Sequence, residues 1–231
     1  MFMENKIGKL EIPKDEVLRY LGYRSQTIDE KLDELINLTI EESKTLITPR
    51  FITSRCKVSL VENGVKLLGT TILLTGNDIK EHLKDSKECV LMGVTIGGNI
   101  EKRINLYGKT NLTKSLILDS CATTAVEEIC DKLEDYIKGE AIGNGESITF
   151  RYSPGYGDLS LDVQKDIINT LKAEKTIGLT VSAHNLLIPR KSVTAIIGLI
   201  PKDKEVPKKC CEVCKNYENC SFRKEGIVCG S

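Results

Sequence analysis

Apolar residues recur along this chain with two periods, and the periods divide it into helices and strands. Between residues 28 and 46, Leu32, Leu35, Ile36, Leu38, Ile40 and Leu46 gather on one side of a helix, and Pro49 stops it. From 111 to 138, Leu116, Leu118, Cys121, Ala122, Ala125, Val126, Ile129, Leu133, Tyr136 and Ile137 keep a 3.6-residue rhythm, which predicts the longest helix. Gly139, Gly143 and Gly145 mark its mobile exit. Shorter helices are predicted at 13–20, 78–83, 99–107 and 162–175. The first opens on Pro13 with Asp15 and Glu16 at the positive end of the helix dipole, and Gly22 ends it; Gly178 closes the last.

Residues 51–61 and 65–74 read as strands, joined by the hairpin signal Asn63-Gly64. Residues 89–96 are almost continuously apolar, as a strand covered on both faces is. Gly97-Gly98 ends it. Gly93, Gly97 and Gly98 lack the spacing of a phosphate-binding loop, so a tight strand-to-helix turn is the reading. Further strands are predicted at 148–150, 179–183 and 192–200. The order of elements predicts an α+β fold, a mixed or antiparallel sheet with helices packed before and after it.

Composition bounds what such a fold does. The 231 residues fit one domain, residues 1–205, with a Cys-rich tail at 206–231. Thirty-three basic residues balance 33 acidic ones, which argues against nucleic acid or an anionic membrane as partner. No run approaches the ~18 apolar residues of a membrane span, and the N-terminus lacks a secretory core. A cytoplasmic location is the expectation.

Of nine cysteines, Cys56, Cys89, Cys121 and Cys130 sit among apolar neighbours and read as core residues. Cys210, Cys211, Cys214, Cys220 and Cys229 cluster in the tail. Cys211, Cys214, Cys220 and Cys229 could close a tetrahedral zinc site or ligate an iron–sulfur cluster; redox-labile thiols on a flexible tail are the alternative. Lys208, Lys209, Lys215, Arg223 and Lys224 around them would offset thiolate charge. His82 and His184, the two histidines, lie far apart and support no Ser–His or Cys–His pair.

The stretch with the most chemistry is Arg151-Tyr152-Ser153-Pro154-Gly155-Tyr156. An arginine fork suited to a carboxylate precedes a Pro-Gly bend, where backbone can approach a ligand, and then an aromatic with a polar tip. On the long helix Asp119, Thr123 and Glu127 share one side at spacing four, either as a solvated stripe or beside a cleft.

With the helical run 162–175, Ile177-Gly178, Val181-Ser182-Ala183 and Ile188-Pro189-Arg190-Lys191-Ser192-Val193, this stretch resembles the activation domain of cobalamin-dependent methionine synthase and its Arg-x-x-x-Gly-Tyr signature. Leu18-Arg19-Tyr20-Leu21-Gly22-Tyr23 and Val94-Thr95-Ile96-Gly97-Gly98 are similar to stand-alone members of that family, so the likeness covers most of 14–200. After the Gly-Tyr the chain departs from the fused modules, reading Gly157-Asp158-Leu159-Ser160.

The resemblance implies a twisted antiparallel sheet flanked by helices. It implies a module that binds S-adenosylmethionine, docks over the cobalamin carried by a partner and supports its reductive methylation, as a component of a methyltransferase system. Arg151, Ser153, Gly155 and Tyr156 are implied as cofactor-binding. Arg151 is expected to pair with the methionine carboxylate, and Tyr156 to act catalytically by facing the corrin. Pro189 and Ser192 would shape the adjoining wall. Two other readings remain open: a partner of another corrinoid methyltransferase with an electron-transfer tail, and a non-enzymatic metal-stabilised adaptor.

Overall fold

A computed structural model describes residues 8–23 and 26–204. Helix α1, Lys14–Tyr20, follows Pro13 and carries Asp15 and Glu16 in its first turn. Helix α2, Glu30–Leu46, starts where the Asp29 side chain accepts from the Leu32 N–H at 3.0 Å. Strand β1, Arg50–Val61, turns through Asn63 into β2, Gly64–Leu68. Strand β3, Leu73–Thr75, follows.

The single strand expected over 65–74 is therefore two. The Thr70 hydroxyl donates to the Leu67 carbonyl at 2.8 Å and accepts from the Ile72 N–H at 3.0 Å, which folds the chain back at this point.

Next come α3, Asn77–His82, β4, Glu88–Thr95, and α4, Asn99–Thr110. Helix α5, Leu112–Gly143, begins at Asn111, whose side chain accepts from the Lys114 N–H. Its 32 residues run through Gly139 and end on Gly143, so the first of those glycines does not end it as expected. Intrahelical hydrogen bonds and the apolar stripe outweigh a cost of ~1 kcal/mol per glycine.

Strand β5, Glu146–Ile148, ends before Arg151. A 3-10 turn, Leu161–Val163, leads to α6, Gln164–Leu171, and α7, Ala173–Ile177. Strands β6, Thr180–Val181, and β7, Leu187–Ile188, form a small separate hairpin, so the strand expected over 179–183 is only two residues long. Strand β8 spans Ser192–Pro201.

Six strands form one antiparallel sheet in the order β3-β2-β1-β4-β8-β5. Its central strand β4 is buried from Cys89 to Thr95 because helices cover both faces. Side chains alternate across it. Val90, Met92 and Val94 pack with Ile36 and Ile40 of α2 and with Leu118, Cys121, Ala125 and Ile129 of α5. Cys89 and Leu91 face the other way, onto Ile79 of α3 and Ile167, Ile168 and Leu171 of α6. Each such buried aliphatic side chain contributes about 1.5–3 kcal/mol.

The result is the expected α+β architecture, with the sheet between two helical layers. Cys56, Cys89, Cys121 and Cys130 are buried and unbridged. Burial pushes the Cys121 thiol up to about 12 and raises the Cys89 and Cys130 thiols as well, so all three stay protonated and inert. Among the described residues no helix is long and apolar enough to cross a membrane.

Candidate functional site

Tyr152 fixes the segment that carries the Arg-to-Tyr stretch. Its N–H donates to the Ile196 carbonyl at 3.0 Å, and its carbonyl accepts from the Ile196 N–H at 2.9 Å, so the loop is laced to β8. The next residues turn sharply: the Tyr156 N–H donates to the Ser153 carbonyl at 3.1 Å. Pro154 sits second and Gly155, at φ +91°, third, as a type II turn requires. The Gly155 N–H donates to the Leu159 carbonyl at 2.9 Å and closes the loop on itself.

Gly157-Asp158, where the sequence leaves the fused-module pattern, anchors this loop. The Asp158 carboxylate accepts from the backbone N–H groups of Asn77 at 2.7 Å and Asp78 at 3.2 Å. It thereby caps α3, whose own N-cap, Gly76, has no side chain to do so. Gly157, at φ +54°, lies where any Cβ would strike the Tyr152 hydroxyl and the Asp78 carboxylate.

A cleft of about 370 Å³ opens over the N-terminal end of β8. Arg151, Ser153, Pro154 and Tyr156 supply one wall, and Glu127 of α5 adjoins it. Leu161 and Gln164 form a second side. Asn185, Leu186 and Leu187 of the hairpin face Arg190, Ser192 and Thr194 across the remainder. Arg151, Ser153, Tyr156 and Ser192 are thus brought together. Gly155 shapes the turn without lining the cleft, and Pro189 stands outside the lining.

The polar series on α5 divides. Glu127 reaches the cleft, while Asp119 and Thr123 hold the Lys191 ammonium at 2.9 and 2.8 Å. The Asp119 and Glu127 side chains are each nearly half exposed.

Arg151 is heavily engaged within the protein. Its Nη2 lies 2.6 Å from Asp131 and 3.6 Å from Glu127, and its Nε 2.9 Å from Glu134. Its side chain is only 17% exposed, and its buried Nη1 has no hydrogen-bond partner among the described residues. Tyr156, at 53% exposed, stands at the mouth with its ring 6.2 Å from that of Tyr152.

Burial and the nearby Asp78 and Asp158 carboxylates push the Tyr152 phenol up to about 12, so it stays a neutral donor toward the Tyr156 carbonyl. Behind the loop His82 packs against the rings of Phe150 and Tyr152, with its Nε2 2.9 Å from the Thr149 hydroxyl. Burial lowers its pKa to about 4, so it is neutral at pH 7. His184 is exposed on the hairpin turn and does not line the cleft.

Two contributors were not singled out from sequence. Gln164 is 4% exposed, and its Oε1 accepts from the Thr194 hydroxyl at 2.9 Å. A glutamine at the start of a helix carries no sequence signal for this role. Arg190 was legible only as part of a motif-like segment.

Cys211, Cys214, Cys220 and Cys229 lie outside the described residues. Among those described, no group of three or more His, Cys, Asp or Glu residues is arranged to hold a metal ion.

Fold and site together define a six-stranded antiparallel α+β domain with a small-molecule-sized cleft beside one sheet strand. The same fold occurs in the crystal structure of the MetH reactivation domain bound to AdoHcy. That structure aligns at a TM-score of 0.59 and 12% identity, over 93% of this chain and 83% of that one. An FMN-dependent nitroreductase from Clostridium difficile R20291 aligns at a TM-score of 0.26 and 15% identity, over 87% of this chain and 89% of that one, too weakly to bear on the fold. No family model and no curated protein matches the chain.

Proposed function

We propose that this chain binds S-adenosylmethionine (AdoMet) in the β8 cleft and serves as a reactivation module for a cobalamin-carrying methionine synthase. One observation carries the reading: the segment with the Arg-x-x-x-Gly-Tyr pattern is the segment that walls the cleft, in a fold shared with the MetH reactivation domain.

The residues present fit such a ligand. A volume of about 370 Å³ lies within the ~300–1,000 Å³ usual for small-molecule sites. Pro154, Leu161 and Leu186 offer apolar surface for the nucleoside and thioether carbons. Glu127 offers a carboxylate to the ammonium and sulfonium charges, and the arginines and Gln164 offer donors to the carboxylate and ribose. When bound, AdoMet supplies an activated methyl group on a positively charged sulfur.

The chain's own residues would position and shield that ligand, with no nucleophile of their own. Ser153 and the Gly155 turn present backbone close to it. Tyr156, half exposed at the mouth, is the side chain that would meet the partner's corrin. The exposed Leu161 and Leu186 beside it would be covered on docking and exclude water from the reacting groups.

The test is isothermal titration of the full chain with AdoMet and AdoHcy, followed by sedimentation with a cobalamin-loaded synthase that lacks its own activation module. Binding of either nucleoside and formation of a complex are expected. Absence of both would end the proposal. Tyr156→Ala should leave AdoMet affinity within about threefold and lower the rate of partner methylation at least tenfold, because its phenol acts on the partner's side.

A further inference from the structure

The helical layer of α2 and α5 covers only part of its side of the sheet. Its core takes side chains from β4, β5 and β8, and of β1 only Phe51 packs against it. Beyond that point β1, β2 and β3 are packed on the opposite side alone, where Cys56, Val65, Leu67 and Leu74 are buried. Alternation therefore turns Lys57, Val61, Lys66, Leu68 and Leu73 toward the α2–α5 side, with no helix over them among the described residues.

These side chains form one strip, two strand spacings or about 10 Å wide. Lys57 stands opposite Leu68, and Lys66 opposite Leu73. Leu68 is 49% and Leu73 46% exposed, and Val61 is exposed on the same side. A sheet face that meets water carries polar residues at its outward positions, and these three break that rule. Among the described residues neither lysine has an ion pair, whereas Arg55, on the same side of β1, is held by Glu88 and Glu146. The strip thus offers apolar contact flanked by uncompensated positive charge.

The chain leaves the described region beside this strip. Strands β1 and β8 both pair antiparallel with β4, so they point the same way. Leu199, Glu88, Lys57 and Leu68 make one row across the sheet. Strand β8 ends two residues past that row, at Pro201, and Lys204 lies 3.3 Å from Asp85, just before β4 begins. Three strand spacings, about 15 Å, span the row. About five extended residues cover that distance, so residues 205–231 are long enough to reach the strip and lie along it. They carry Val213, Tyr217, Phe222 and Ile227 to meet the leucines, and Glu212 and Glu218 to meet the lysines. Tethering gives them an effective concentration on the order of millimolar, an advantage no separate partner has.

We infer that residues 205–231 dock across the bare β1–β2–β3 face. The inference is independent of the AdoMet reading. It bears on the tail all the same, because the cleft opens over the opposite end of β8, whose ten residues span about 30 Å. The tail cysteines are thereby seated away from the ligand, not over it.

The test places the photocrosslinking residue p-benzoylphenylalanine at position 68 of the full chain, and at position 38 on α2 as a control, with the products mapped by mass spectrometry. Links within one chain, from 68 to residues 205–231 and at least tenfold fewer from 38, are expected. Hydrogen exchange supplies the second reading. Leu68→Glu combined with Leu73→Glu should speed exchange of the 205–231 amides at least tenfold and leave those of β4 unchanged, which shows that the fold is intact. Links from 68 to a second copy, to residues 1–7 or to nothing overturn the inference. So do equal links from both positions, or tail exchange that the double variant leaves unaltered.

Discussion

His82 shows how one residue couples the cleft loop to the core. It lies beneath Phe150 and Tyr152 and touches the Thr149 hydroxyl, which also accepts the Gly198 N–H at 2.8 Å. Its folded pKa of about 4 lies below the ordinary value of 6.5. Between those values the unfolded chain binds the proton more readily, so stability falls as pH drops from about 6.5 to about 4. The loss is of order 3 kcal/mol at the lower end. Urea unfolding across that window should show the slope, and His82→Gln should flatten it. Gly157 makes a second residue-scale prediction. Gly157→Ala would add a Cβ against Tyr152 and Asp78 at a left-handed φ, and should lower unfolding free energy by about 2 kcal/mol in the same assay. The sequence showed Gly155 as a turn residue because Pro-Gly is a local signal. It could not show why Gly157 and Asp158 matter, because their partners lie about 80 residues earlier in the chain.

Elements with one dominant period were legible. Helix α5, β4 and the β1–β2 hairpin follow from patterns that neighbours in space do not change. The expected helix over 162–175 was less so. It opens as a 3-10 turn and breaks at Lys172, which takes φ +52°. The apolar residues on either side of that break keep a helical rhythm, so periodicity alone passes over it. At this scale Arg151 is a joint between the cleft loop and α5. Its three acidic neighbours range from 27% to 62% exposed, so solvent screens the pairs and their combined worth is modest. Arg151→Met should destabilise the fold by about 1–2 kcal/mol in thermal or urea unfolding. Arg151→Lys should recover only part, because an ammonium cannot fork between carboxylates on successive turns.

At the scale of the whole molecule, the cleft mouth gathers exposed apolar side chains at one place. Tyr156, Leu161 and Leu186 are 53%, 40% and 58% exposed there. If a cobalamin-bearing partner covers this mouth, Leu186→Glu should weaken the complex at least tenfold in sedimentation while leaving the melting temperature unchanged. An unchanged complex would place the docking surface elsewhere. The sequence by itself determined the α+β class, the buried cysteines, the central strand and the Arg151–Tyr156 turn. Each of those rests on hydrophobic period or on steric rules that act over a few residues. Only the tertiary structure decided which charges are spent and which are free. Arg151, Arg190 and Lys191 look alike in sequence, but the acids that neutralise two of them come from a helix up to about 70 residues away, and no local pattern records that pairing.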